Sequence, residues 1–182
     1  MEENNLYDFD TPLIFSDGTA LYDKLKKEYV LHKKGYFIYG PSGNGKSYFV
    51  EHQQIKNWID GDLLWEVTNA FPNGDWWNWS GKTIDVIEQR ADVITHIARE
   101  MGFWIIGASC VHAIPDAVVM PDFEKHLEYI KLREKTCYGG GLTSENIDKI
   151  RKNREYFLRF SQKGVPTFKS IEEAVNYLEN KK

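Results

Sequence analysis

Residues Gly40-Pro41-Ser42-Gly43-Asn44-Gly45-Lys46-Ser47 complete the pattern GxxxxGK[ST], and few stretches of eight residues restrict a fold as tightly. Glycines along the bend let the backbone curl until successive N–H groups point inward at an anion; the lysine reaches the outer phosphate oxygens and the final hydroxyl is placed to ligate Mg²⁺. Such a bend needs a strand before it and a helix after it. Gly35 to Tyr39 is a short apolar, aromatic run that ends at the first loop glycine, and Lys46 to Gln53 holds no helix breaker, so both neighbours are expected. Gly40, Ser42, Gly43, Asn44, Gly45, Lys46, Ser47 and Tyr48 are therefore the candidate nucleotide contacts, with ATP and Mg²⁺ as the expected cofactors.

The rest of the chain alternates strand-like and helix-like segments. Ile55 to Asp60 reads as a strand ending in Asp60-Gly61-Asp62. Lys82 to Met101 carries Ile84, Ile87, Ala91, Ile94 and Ala98 at helical spacing, and Gly102 stops it. Phe103 to Ala108 and Ala117 to Met120 are apolar runs suited to strands buried on both faces. Helices are expected over Phe123 to Lys135 and Ser144 to Gln162, a last strand over Val165 to Phe168, and a final helix over Ser170 to Asn180, where Ser170 and Glu173 form a capping box. This order predicts an α/β fold with about five parallel strands and helices on both faces. Residues 1–34, with a turn at Ser16-Asp17-Gly18 and a helix over Thr19 to His32, form an N-terminal extension ahead of a core spanning 35–182.

Composition narrows the classes. At 182 residues one domain is expected, large enough to bury a core without staples. Cys110 and Cys137 fit no metal spacing, and the five histidines form no metal or nucleophile constellation, so packing or surface roles are expected for them. No apolar stretch approaches the roughly 20 residues of a membrane helix, and Met1 to Asp10 is unlike a signal peptide; a cytoplasmic protein is the expectation. The formal net charge of −4 favours a small-molecule partner over DNA without excluding nucleic acid.

Three features bear on chemistry beyond the loop. Asp60 and Asp62 follow the second strand, whose carboxyl end sheet-order rules bring beside the loop; one carboxylate can hold a metal-bound water while the other accepts the proton of an attacking hydroxyl. Trp65, Phe71, Trp76, Trp77 and Trp79 crowd a broken stretch where aromatic faces suit a flat ring. Gly139-Gly140-Gly141 lies among Arg133, Lys135, Lys149, Arg151, Lys152 and Arg154, like a hinged, cationic lid near 133–154.

Taken together, the loop, the acidic triplet, the acid-free strand Phe103 to Cys110 and the basic segment resemble the P-loop small-molecule kinases, such as shikimate, gluconate and adenylylsulfate kinases, and the adenylate-kinase-like nucleotide kinases. The resemblance covers most of residues 35 to 178 and implies the P-loop nucleoside triphosphate hydrolase fold with a lid. It implies that Lys46 and Ser47 serve ATP and Mg²⁺, that Asp60 helps order the metal, that Asp62 orients or deprotonates the acceptor, and that Arg133, Arg151 and Arg154 close on phosphate. Leu63-Leu64-Trp65 stands where several family members carry an arginine, so acceptor identity does not transfer.

The expected activity is transfer of the γ-phosphoryl group of ATP to a nucleoside- or nucleotide-type acceptor, with Asp62, Trp65, Phe71, Trp76, Trp77 and Arg90 as candidate acceptor contacts. The small size, N-terminal extension and aromatic insert also look like kinases of large DNA phages that act on hydroxymethylated pyrimidines in DNA. An ATPase or nucleotide-sensing module without an acceptor, and an interaction protein using the tryptophans as a surface, remain open alternatives.

Overall fold

Five short strands, the central ones apolar throughout, set the architecture. The computed structural model describes residues 35–53, 57–68, 70, 82–108, 113–136 and 141–181; the N-terminal extension and the expected elements within it lie outside these residues. The strands are β1 (Phe37–Tyr39), β2 (Trp58–Asp60), β3 (Trp104–Gly107), β4 (Ala117–Val119) and β5 (Thr167–Phe168). They form one sheet, ordered β2-β3-β1-β4-β5, in which every neighbouring pair is parallel. Parallel neighbours need crossovers, and helices supply them: α1 (Lys46–His52), α2 (Gly61–Val67), α3 (Lys82–Glu100), α4 (Phe123–Glu134), α5 (Ile147–Gln162) and α6 (Ile171–Asn180).

The period-2 alternation divides the core in two. Phe37, Tyr39, Ile105 and Val118 pack with Trp65 of α2, Ala91 and Ala98 of α3, and Phe157 and Phe160 of α5. Ile38, Ile106, Ala117 and Val119 pack with Phe49 of α1 and with Ile171, Ala174 and Leu178 of α6. Both faces of the central strands are thus covered, which is why those strands read as continuous apolar runs. A smaller cluster of Ile130, Leu142 and Ile150 joins α4 to α5.

Helix ends follow local chemistry. Asn146 accepts from the Lys149 amide at 2.9 Å, so α5 begins two to three residues after the expected Ser144. Ser144 instead donates its hydroxyl to Glu134, whose other oxygen accepts the Ser144 amide, both at 2.7 Å. At α6 the Ser170 hydroxyl accepts from the Glu173 amide, and the Glu173 carboxylate reaches back to the Lys169 amide, one residue earlier than in the standard box.

One buried ion pair ties the amino end of β1 to α3. Arg99 Nη2 donates to Asp116 Oδ2 at 2.9 Å, and the same oxygen accepts the Phe37 amide at 2.9 Å. Both side chains are about 1% exposed. Arg99 is thus a structural residue at the opposite end of β1 from the Gly40–Ser47 loop. Removing one member of such a pair leaves a desolvated charge behind. Asp116→Ala is expected to cost about 3–5 kcal/mol in unfolding free energy, read from urea denaturation.

A second electrostatic feature lies on α3, where Asp85, Glu88 and Asp92 follow one another at helical spacing. Desolvation, with Asp92 and Asp85 adding repulsion and Arg159 opposing it, pushes the Glu88 carboxyl up to about 7. A raised carboxyl pKa means that the folded protein holds this proton more tightly than the unfolded chain, so stability declines as pH rises between about 4.5 and 7. Glu88→Gln is expected to stabilise the protein at pH 8 by about 1–2 kcal/mol, after allowance for solvent screening of this half-buried group, and to be near neutral at pH 5. Denaturation at the two pH values checks the sign.

Candidate functional site

The site is assembled at the carboxyl end of the sheet, where β1 runs into the Gly40–Ser47 bend. Gly43 and Gly45 both adopt positive φ, 85° and 86°, a region that glycine enters at little cost. At Gly43 space forbids a side chain as well, because a Cβ would stand 2.7 Å from Ile130 Cγ1 of α4. Gly40 joins the bend to β3 through its amide, which donates to the Gly107 carbonyl at 3.2 Å.

Lys46 is folded into the hollow of the bend and is only 6% exposed. Its Nζ donates to the carbonyls of Gly40 (3.1 Å) and Pro41 (2.8 Å) and to Asn44 Oδ1 (3.2 Å). Burial lowers the Lys46 pKa, Asp62 and Asp60 oppose that, and Arg133 adds to the lowering. Asn44 keeps a buried donor, Nδ2, with no hydrogen-bond partner among the described residues.

Both acids of the triplet reach this hollow, though by a route that differs from the sequence expectation. β2 is not the neighbour of β1; β3 lies between them. Contact comes through α1, which packs beside β2 and carries Ser47, whose hydroxyl donates to Asp60 Oδ2 at 2.6 Å. The other oxygen, Oδ1, caps α2 by accepting the amides of Asp62 (2.9 Å) and Leu63 (3.5 Å). The triplet is therefore a helix start rather than a loose turn, and α2 occupies part of the stretch that sequence patterning reads as broken.

Asp62, in the first turn of α2, retains exposed surface, yet its carboxyl is hemmed in by the surrounding protein. Desolvation raises its pKa, Asp60 adds to the rise, and Lys46 and a hydrogen bond from the Ala108 backbone oppose it. One lysine, two carboxylates and a hydroxyl thus meet beside the Gly40–Ser47 bend.

The basic segment contributes unequally. Arg133 of α4 donates through Nη1 to Ser42 Oγ at 3.1 Å and through Nη2 to the Leu142 carbonyl, clamping the segment after the glycines onto the bend. Arg154 of α5 reaches the Pro121 carbonyl at 2.8 Å and His126 Nδ1 at 3.2 Å. Arg151 is exposed, its guanidinium 5.6 Å from the centre of the Phe123 ring. Of the three expected phosphate-closing arginines, Arg133 touches the bend directly and Arg154 touches it through His126. His126, assigned from sequence to surface or packing, is buried and its Nε2 lies 2.8 Å from the Ser42 carbonyl; no spacing motif marks it, because its partners are 84 and 28 residues away.

The expected acceptor contacts fare differently. Trp65 has no exposed surface: its Nε1 donates to Thr95 Oγ1 at 2.8 Å and its ring packs against Gly61 and Gly107. It is a core residue under the site and is not available to stack on a ligand. Arg90 is half-buried in the middle of α3. Tyr48 is 69% exposed and stacks on His52 with ring centres 4.0 Å apart. Phe71, Trp76, Trp77 and Trp79, and Cys137 to Gly140 of the expected hinge, lie outside the described residues.

Gly141 closes the arrangement: with φ of 83°, it approaches Ser42 so closely that a Cβ would stand 2.4 Å from Oγ. Gly141→Ala is expected to lower stability by about 1–2 kcal/mol through left-handed strain and displacement of the clamp, measured by thermal or chemical unfolding. No protein-family model, curated protein or solved structure matches this chain.

Proposed function

We propose that this protein is an ATP- and Mg²⁺-dependent phosphotransferase of the P-loop fold that moves a γ-phosphoryl group to a nucleoside- or nucleotide-type acceptor. The single observation that carries the reading is the convergence of Lys46, Ser47, Asp60 and Asp62 on a glycine-shaped bend whose sequence is the complete GxxxxGK[ST] pattern. The sheet order, with β1 central and the bend at its carboxyl end, agrees with ligand binding at the carboxyl ends of parallel strands.

The donor set suits a hard divalent cation: the Ser47 hydroxyl and the Asp60 carboxylate are oxygen ligands 2.6 Å apart, and Mg²⁺ is commonly held by one or two such groups together with phosphate oxygens and water. When bound, the cation neutralises charge on the phosphate oxygens. Around it, the bend's amides and Lys46 hold the polyphosphate, Arg133 contributes positive charge at the rim, and Asp62 faces the acceptor. A carboxyl whose pKa is raised by desolvation holds a proton more tightly than an ordinary aspartate, which fits Asp62 to take the proton of the attacking hydroxyl. Rate acceleration comes from positioning and charge stabilisation.

Lys46→Ala is expected to weaken ATP binding about 100-fold, and Asp62→Asn to leave it within about threefold while reducing acceptor phosphorylation by roughly 10²–10⁴. Calorimetry with ATP and Mg²⁺ reads the first. Transfer of γ-labelled phosphate across nucleosides, nucleotides and hydroxymethylated DNA reads the second and selects among the acceptor classes. ATP hydrolysis that no acceptor stimulates and that Asp62→Asn leaves unchanged would overturn the phosphotransferase reading in favour of an ATPase.

A further inference from the structure

Each buried carbonyl of the bend needs a donor. Lys46 serves Gly40 and Pro41, and the Phe49 amide serves Gly45 at 2.9 Å. For Ser42, at the crest of the bend, the donor comes from outside it: the imidazole of His126, a fully buried residue on α4.

The ring's proton is placed by its other neighbour. Arg154 Nη1 lies 3.2 Å from His126 Nδ1, and a guanidinium only donates. Nδ1 must therefore accept, which puts the single proton of the neutral ring on Nε2, aimed at the Ser42 oxygen 2.8 Å away. Arg154 is itself anchored at 2.8 Å to the Pro121 carbonyl, just ahead of α4. Burial and the cations Arg154, Lys46 and Arg133 keep the imidazole neutral, against the pull of the Ser42 bond; Asp122 is the acid that acts on Arg154.

Building on the nucleotide-site reading above, we propose that His126 is a positioning residue for polyphosphate binding: its Nε2–H holds the Ser42 carbonyl outward and thereby aims the Gly43 amide into the bend. The link is covalent geometry. The Ser42 carbonyl and the Gly43 N–H share one planar peptide unit, and no peptide bond among the described residues is cis, so fixing the oxygen on one side fixes the hydrogen on the other. Gly43, with its positive φ, has little steric hindrance of its own against rotating that plane. The restraint has to come from a partner, and the Arg154–His126 relay is that partner.

The test uses the full chain with ATP and Mg²⁺ at pH 8, where the imidazole is neutral. His126→Leu keeps an apolar side chain in the space but removes the donor; it is expected to weaken ATP binding about tenfold or more. His126→Gln offers an N–H to Ser42 and an oxygen to Arg154, and is expected to stay within about threefold of the wild type. Unfolding of the nucleotide-free proteins is followed in parallel, since a purely structural role would make affinity track stability in both variants. If the Leu variant does not fold, Arg154→Met carries the test, with a fall of about threefold or more expected as the proton is no longer fixed on Nε2. Wild-type affinity in His126→Leu, or in Arg154→Met where that stands in, overturns the inference and leaves the nucleotide site standing; so does equal weakening by Leu and Gln. A wild-type protein that binds no ATP removes the nucleotide reading and this inference with it.

Discussion

Everything at the carboxyl end of the sheet depends on how one tight bend satisfies its own backbone. Eight residues turn the chain from β1 into α1, and the cost of burying an unpaired carbonyl there is comparable to losing a hydrogen bond outright. The chain solves this with long-range side chains. Lys46 returns from α1 to two carbonyls, His126 reaches in from α4, and Arg133 ties the Ser42 hydroxyl to Leu142. The elements that flank the bend are thereby committed to it: α4 cannot shift without disturbing Ser42 or Gly43, because His126 bonds the one and Ile130 lies against the other.

Electrostatics follows from the same geometry. Folding Lys46 into the hollow desolvates its ammonium and lowers its pKa, while Asp60 and Asp62 pull the other way. Desolvation, with repulsion from Asp60 adding to it and Lys46 opposing it, holds the Asp62 carboxyl above the ordinary range. Asp60 is occupied on both oxygens, by Ser47 on one side and by the start of α2 on the other. The two aspartates, two residues apart, are therefore held in different chemical situations.

Much of this was legible in the sequence wherever the signal is local. The bend, the helix after it, the apolar strands Phe103 to Ala108 and Ala117 to Met120, and the Ser170 cap follow from neighbours within a few residues, and the observed elements lie where those patterns put them. What escaped was non-local. That Trp65 is core rather than an exposed ring depends on Thr95, Gly61 and Gly107 coming together; that Arg99 is buried depends on Asp116. His126 shares no spacing with Ser42 or Arg154. The start of α2 escaped for another reason: Asp60-Gly61-Asp62 carries the residues of both a turn and a helix cap, and the choice is made by two amides accepted at Asp60 Oδ1.

The position of the acids is itself a consequence of packing. β3 and β4 both run beside β1, and neither delivers an acid to the bend from its last residue: β4 ends in Val119 and β3 in Gly107. A Cβ at Gly107 would stand 2.5 Å from Cη2 of the buried Trp65 ring, and that ring also lies about 3.0 Å from the position a Cβ would take at Gly61. With an indole filling the floor, a side chain at the end of β3 is sterically excluded. The carboxylates arrive instead from the next strand out on that side, by way of a helix that starts at once: β2 ends in Asp60, Asp60 caps α2, and the first turn of α2 carries Asp62. Gly61, Trp65 and Gly107 thus form the support that lets an edge strand deliver its acids to a bend on the central one.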